Sequence, residues 1–267
     1  MARSRRLWPI VQRVWITLGL TATLVFVTWS LIAYRANPEA RRAAVSDSTV
    51  TVLHTEGVWR FEGAGPAKEP TLVFFPGALV DPRAYAPLAK AVAGEGFRVV
   101  IVEFPRRGVF GGAGSPELRN RIDSVLSSLD DSGDFVLAGH SKGAVVASTV
   151  ACSNPPNLSG LVLIGTTHPR DVDLSNLSVP VTKIAGTRDG LARPADVRQN
   201  ARLLPPHTRW IWVEGGNHSQ FGWHGFQPMD RRAEVDAAEQ RTLMIDGVLD
   251  LLRDSRQETV HVSAYYK

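Results

Sequence analysis

Six short apolar runs, each four to six residues long, limit how this chain can fold: Thr71–Phe75, Arg98–Glu103, Phe135–Ala138, Leu161–Ile164, Val181–Ala185 and Arg209–Val213. Their apolar character is continuous rather than alternating, the pattern of strands buried on both faces. Stretches with helical spacing separate them. Pro82–Ala93 repeats Tyr85, Leu88, Ala89 and Val92; Pro116–Leu129 repeats Leu118, Ile122, Val125 and Leu129. Lys142–Cys152, Ala195–Leu203 and Asp236–Arg253 follow, the last opening with Asp236 and Glu239 at capping-box spacing. Strand and helix in alternation predict an α/β fold, a mostly parallel sheet covered by helices on both faces. Thr49–Leu53 and Val58–Phe61 alternate as edge strands do. In such a sheet, sites form at the carboxyl ends of the strands.

Ahead of this pattern lie 21 uncharged residues, Val14–Tyr34. As a helix rising ~1.5 Å per residue they would cross a bilayer core of ~30 Å. Trp8, Trp15, Trp29 and Tyr34 fall toward the two ends, where amphipathic aromatics sit. The run exceeds the ~7–15 apolar residues of a signal peptide, and Ala33-Tyr34-Arg35-Ala36 makes a poor cleavage site. Residues 1–36 are therefore expected to be an uncleaved membrane anchor, with Asn37–Asp47 a polar linker and 48–267 one globular domain. Arg3, Arg5, Arg6 and Arg13 outnumber Arg35, Arg41 and Arg42 across the span. That bias favours a cytoplasmic N-terminus and a domain on the extracytoplasmic side. Much of the +4 formal charge comes from these arginines. With no basic cluster interleaved with aromatics elsewhere, nucleic acid is not an expected partner. The single cysteine, Cys152, permits no internal disulfide and reads as a buried thiol. No Gly-rich phosphate loop and no His/Cys cluster at ligand spacing is visible, so neither cofactor nor metal is expected.

The third buried run leads into Gly139-His140-Ser141-Lys142-Gly143. Gly-x-Ser-x-Gly alone is a weak signal. Between a strand and a helix it has a mechanism: a sharp turn lifts the serine hydroxyl clear of the sheet, and glycines keep neighbouring backbone from colliding. The bland alternative is a turn with a capping serine. A serine attacks only when a base takes its proton, and the expected chain order is serine, carboxylate, histidine. Of seven histidines, His218 lies on the glycine-rich turn after the last run, while His168 and His224 are the rivals. Asp189 follows the penultimate run, with Asp171 and Asp173 as alternatives. An oxyanion hole needs two backbone donors. The N–H of Lys142 is one. The other belongs to the turn Pro76-Gly77-Ala78-Leu79, to either Ala78 or Leu79, with Ala78 favoured. His140 and Lys142 read as exposed or helix-start residues, and Phe110, Phe221, Trp223 and Phe226 as lining of an apolar pocket or as core.

The stretches FFPGALVDPRAYAPLA (74–89), LAGHSKGA (137–144), GTRDGLA (186–192) and GGNHSQFGWHGFQPMD (215–230) together resemble the α/β-hydrolase superfamily. More narrowly they are similar to a bacterial branch of membrane-anchored or exported hydrolases, grouped with dienelactone-hydrolase-like ("alpha/beta hydrolase fold-5"-like) proteins. The resemblance implies an α/β-hydrolase fold with Ser141 as nucleophile, Asp189 as acid and His218 as base. It implies hydrolysis of a small-molecule or lipid-like ester through an acyl-enzyme. Thioester or amide cleavage would use the same machinery, and a catalytically silent scaffold would share the fold. Dienelactone hydrolases proper use cysteine where this chain has Ser141, which argues against a dienelactone substrate. A serine in the elbow also argues against dehalogenase and epoxide hydrolase chemistry, which need an aspartate there. The short interval between Ile164 and Val181 leaves no room for a large lid.

Overall fold

The computed structural model describes residues 2–109, 111–130 and 133–265, with side chains given from residue 8 to residue 255 apart from 110 and 130–132. Phe110 lies outside the described residues. Eight strands form one sheet in the order β1-β2-β4-β3-β5-β6-β7-β8. The hairpin β1 (Val50–Thr55) and β2 (Val58–Gly63) is antiparallel and pairs antiparallel with β4 (Phe97–Val102). The rest are mutually parallel: β3 (Lys68–Phe75), β5 (Phe135–His140), β6 (Leu158–Ile164), β7 (Val181–Gly186) and β8 (Arg209–Val213). β3, β5, β6 and β7 extend their apolar runs by one to three residues, β4 is shifted by one, and β8 matches its run; most of the added residues are buried, among them Gly139, His140 and Gly160, which are small or polar.

Side chains of successive strand residues project to opposite faces, and both faces are dry. On one, Leu72, Phe74, Val136, Ala138 and Val162 pack against α3 (Ala86–Gly94) and α7 (Ala237–Tyr265). On the other, Val73, Phe75, Leu137, Leu161 and Leu163 pack against α4 (Pro116–Asp130) and α5 (Lys142–Cys152). The stretch read as Ala195–Leu203 is a short helix, α6 (Pro194–Gln199), followed by a 3-10 turn, Ala201–Leu203. Pro82–Tyr85 is likewise 3-10 and leads into α3.

The N-terminal helix α1 (Ala2–Ala33) contains one span, Trp8–Ala33, long and apolar enough to cross a membrane. From Trp8 to Ile32 no residue of it is buried, so it stands free of the domain until Ala33. The segment after it is not the polar linker expected. Pro38–Ala43 forms a helix, α2, and Asn37 caps it by accepting a 2.8 Å hydrogen bond from the Ala40 N–H. Ala36 and Ala40 are buried against the α3 and α7 face of the sheet. Small residues at one-turn spacing let this helix lie close to the core, a pattern too short to register as amphipathic. Cys152 also departs from expectation: it is exposed at the last turn of α5.

Candidate active site

The turn between β5 and α5 is built by two glycines. A Cβ on Gly139 would lie 2.3 Å from the Gly143 carbonyl carbon, and one on Gly143 would lie 1.9 Å from the Phe75 oxygen. Strand, turn and helix touch backbone to backbone there. Ser141 occupies φ 54°, ψ −116°, a region that strains any residue bearing a side chain. Its own N–H donates to the Ile164 carbonyl at 2.9 Å, which pins the turn to β6. Ser141 lines a cavity of about 220 Å³ together with His218, Lys142, Thr166, His168 and Leu191. A larger, more apolar cavity of about 410 Å³ lies between α4 and α5 and shares Lys142 and Val145 with it. Its walls include Leu118, Ile122, Val146 and Val150.

His218 and Asp189 are brought together from loops after β8 and β7. The histidine Nδ1 is 2.9 Å from Asp189 Oδ2, and both residues are buried. The other carboxylate oxygen, Oδ1, accepts from the N–H groups of Leu191 (2.8 Å) and Ala192 (2.6 Å), so the acid is held on both sides. Burial pushes the His218 pKa down, but the charge and hydrogen bond of Asp189 and the charge of Asp230 outweigh it, and the value lies above the ordinary 6.5. Its Nε2 has no hydrogen-bond partner among the described residues. With Nδ1 committed to the carboxylate, Nε2 is the atom left to accept a proton.

The rivals are otherwise engaged. His168 lines the cavity, but its Nε2 lies 3.1 Å from the exposed Asp171. Asp173 accepts from the Ser175 N–H at the surface. His224 is buried with both ring nitrogens occupied, by the Gly225 carbonyl (2.7 Å) and Gln227 (3.3 Å). Burial drives its pKa down to about 4.

One reading of the elbow and one of the turn after β3 need correction. His140 is neither exposed nor a mere helix-start residue: it is fully buried. Its Nδ1 lies 2.7 Å from the Tyr85 hydroxyl, and that same oxygen accepts the Gly77 N–H at 3.1 Å. The Tyr85 hydroxyl thus ties His140 to the turn after β3. Burial, with His218 and His224 nearby, holds the His140 pKa well below 6.5, so it stays neutral. The second correction concerns Leu79. Its N–H donates to the Arg107 carbonyl at 2.7 Å, so it has none to offer an oxyanion. With Gly77 bonded to Tyr85, Ala78 is the residue of the turn whose N–H has no partner among the described residues. Lys142 is exposed at the first position of α5, as read. Phe221 and Trp223 are core, and Phe226 is exposed outside the Ser141 cavity.

Sequence reasoning missed the supports. Asp230 Oδ1 accepts the N–H groups of Gly190 (3.0 Å) and His218 (3.3 Å), and Oδ2 accepts the Ser219 N–H (2.8 Å) and hydroxyl (2.6 Å). It therefore ties the acid loop to the base loop. Gln240 on α7 bonds both the N–H (3.1 Å) and the carbonyl (2.7 Å) of Asn217, the residue before the histidine. Lys183, a lysine inside the apolar run of β7, is buried and donates to the His168 carbonyl. Burial lowers its pKa to about 7, against the pull of Asp189. The lysine within a buried strand was a visible signal; Asp230 and Gln240 carried none.

Asp230→Ala is expected to destabilise the fold by about 3 kcal/mol, since hydrogen bonds to a charged group contribute ~1.5–3 kcal/mol each and some donors will find water. A melt should show Tm falling by roughly 6–12 °C for a chain of this size. Asp230→Asn, which keeps an acceptor, should lose less.

Residues 71–242 match the family described as "Alpha/beta hydrolase family". Solved structures of similar fold include a ferulic acid esterase from Streptomyces cinnamoneus, 17% identical, with 73% of this chain and 81% of that one covered at a TM-score of 0.55. A monoacylglycerol lipase from Paleococcus ferrophilus is 16% identical, with 70% and 96% covered and a TM-score of 0.53. An alpha-beta serine hydrolase homologue from Coxiella burnetii is 16% identical, with 76% and 98% covered and a TM-score of 0.51. These three likenesses are of fold.

Proposed function

The chain belongs to the alpha/beta hydrolase family, and from that premise we propose that it is a serine hydrolase cleaving carboxylic esters through an acyl-enzyme. One observation carries the reading: His218 is bonded through Nδ1 to buried Asp189, and its unpartnered Nε2 shares a cavity with the strained Ser141. In the proposed cycle His218 Nε2 takes the Ser141 proton as Oγ attacks the ester carbonyl. The N–H groups of Ala78 and Lys142 receive the oxyanion. His218 then protonates the departing alcohol, and a water activated by the same nitrogen releases the acid. Asp189 holds the tautomer and stabilises the imidazolium. The apolar cavity between α4 and α5 suits the hydrocarbon part of a lipid-like ester. We further propose that α1 anchors the enzyme in a membrane with the domain on the extracytoplasmic side, on the strength of its apolar span and the N-terminal arginine bias.

A fluorophosphonate probe tests the chemistry. Wild-type protein should be labelled, and Ser141→Ala and His218→Ala should not. Folded wild-type protein that stays unlabelled would overturn the reading.

The pH dependence follows from the sign of the His218 shift. The base must be neutral, and its pKa lies above 6.5. So kcat/KM should fall on acidification, about tenfold per pH unit below that pKa, with the break above pH 6.5. Asp189→Asn should move the break to lower pH and reduce kcat by about 10⁴. Stability runs the other way. The raised pKa contributes stability that is fully present below the unfolded value of about 6.5 and is lost as pH rises through the folded pKa.

A further inference from the structure

The end of α1 meets the domain at one place. The Ala33 carbonyl accepts the Gly225 N–H at 2.8 Å, and the Tyr34 carbonyl accepts the Asp81 N–H at 2.8 Å. Gly225 belongs to the loop after β8 and Asp81 to the loop after β3. Both are at the carboxyl edge of the parallel sheet, the edge that carries Ser141 and His218. A helix that crosses a bilayer ends at the lipid surface, and here the loops around the cavity are within a hydrogen bond of that end.

Where it is exposed, the same edge carries a run of apolar side chains and unpaired arginines, while its exposed acids Asp171 and Glu234 are engaged with His168 and Arg170 and with Arg188. Phe226 adjoins Gly225; Met229, 89% exposed, follows it. A Cβ on Gly190 would lie 2.7 Å from the Met229 carbonyl, and the next residue, exposed Leu191, is at the mouth of the Ser141 cavity. Exposed Leu79 lies beside Asp81 on the other loop. Exposed apolar residues thus run from the α1 terminus to the cavity. Arg106, Arg231 and Arg232 are exposed on the same edge and form no ion pair among the described residues. Apolar side chains flanked by unpaired arginines are the chemistry of an interface with anionic lipid.

We infer that the carboxyl edge of the sheet, with the mouth of the Ser141 cavity, rests on the surface of an anionic bilayer, so that the site draws its ester from the leaflet. This rests on the reading of α1 as a membrane anchor.

The full chain, carrying Cys152→Ser, would be reconstituted into vesicles of phosphatidylcholine and phosphatidylglycerol with or without brominated acyl chains. A bimane fluorophore would be attached at Leu20→Cys in α1, at Met229→Cys on the edge, or at Pro156→Cys on the exposed loop before β6, at the opposite edge. The expected result is quenching at Leu20 and Met229 and none at Pro156. Quenching at Leu20 without quenching at Met229 would overturn the docking and leave the anchor standing. Quenching at neither would remove the anchor and the docking with it, while fluorophosphonate labelling would still report on Ser141. Arg106→Gln combined with Arg232→Gln should raise the apparent KM for a vesicle-borne ester by about tenfold and leave a soluble short-chain ester unaffected. An equal change on both substrates would count against the inference.

Discussion

Ser141→Ala is expected to lower kcat on an ester by roughly 10⁴- to 10⁶-fold while leaving Tm unchanged. On the proposed mechanism, the size of the loss follows from removing the atom that would form the acyl bond. What would survive is the contribution of the proposed Ala78 and Lys142 donors and of binding. Stability should not follow activity. The substitution deletes one half-exposed hydroxyl with no hydrogen-bond partner among the described residues. The backbone strain at φ 54° is that of any side-chain-bearing residue, so it is common to serine and alanine. Steady-state kinetics on a short-chain ester, run beside a thermal melt, read both quantities. A loss below tenfold in a protein of unchanged Tm would remove Ser141 from the role of nucleophile.

Gly143→Ala should produce the largest change in stability. Its Cβ would sit 1.9 Å from the Phe75 oxygen, 2.5 Å from the Phe75 carbonyl carbon and 2.6 Å from the Pro76 oxygen. All three are backbone atoms, so no rotamer can relieve the clash. The start of α5 would have to lift off the end of β3, and the turn bearing Ala78 would move with it. Destabilisation of about 4 kcal/mol or more is expected, which for a domain of this size is a Tm lower by roughly 8–16 °C, or no folded protein at all. Gly94→Ala is the control. Nothing lies within 4 Å of its Cβ position, near the end of α3, and alanine there should be neutral or stabilising by up to about 1 kcal/mol. If both variants melt with the wild type, the close approach of turn and strand does not limit stability.

Much of the fold was legible because it is written in local periodicity. Phe135 to Gly139 is apolar or small at every position because β5 is covered on both sides, by α3 and α7 on one face and α4 and α5 on the other. The α5 reading, Lys142–Cys152, matches the observed helix end for end, since glycines and a strained serine leave little latitude in where the strand stops. The linker reading failed for a related reason. Pro38–Ala43 is six residues long, too short to show a period, and only the core it meets makes Ala40 buried. Cys152 was read as buried because α5 is small and apolar, but it falls on the helix side that faces away from the sheet.

The chain order of Ser141, Asp189 and His218, on loops after β5, β7 and β8, was set by sequence alone, because a parallel sheet puts the carboxyl ends of all those strands at one edge. Which groups converge at that edge was decided by tertiary structure. Leu79 and Ala78 are adjacent and chemically alike along the chain. Only the arrival of the Arg107 carbonyl from the loop after β4 takes up the Leu79 N–H and leaves that of Ala78. His140 looks like any polar residue beside a serine until Tyr85, 55 positions away, closes on its Nδ1. Asp230 is an ordinary turn aspartate until Gly190 and His218 reach it from two loops. Local sequence sets strand, turn and helix because those depend on near neighbours. Hydrogen-bond partners drawn from distant loops depend on how the whole sheet is ordered, and no window of sequence contains them.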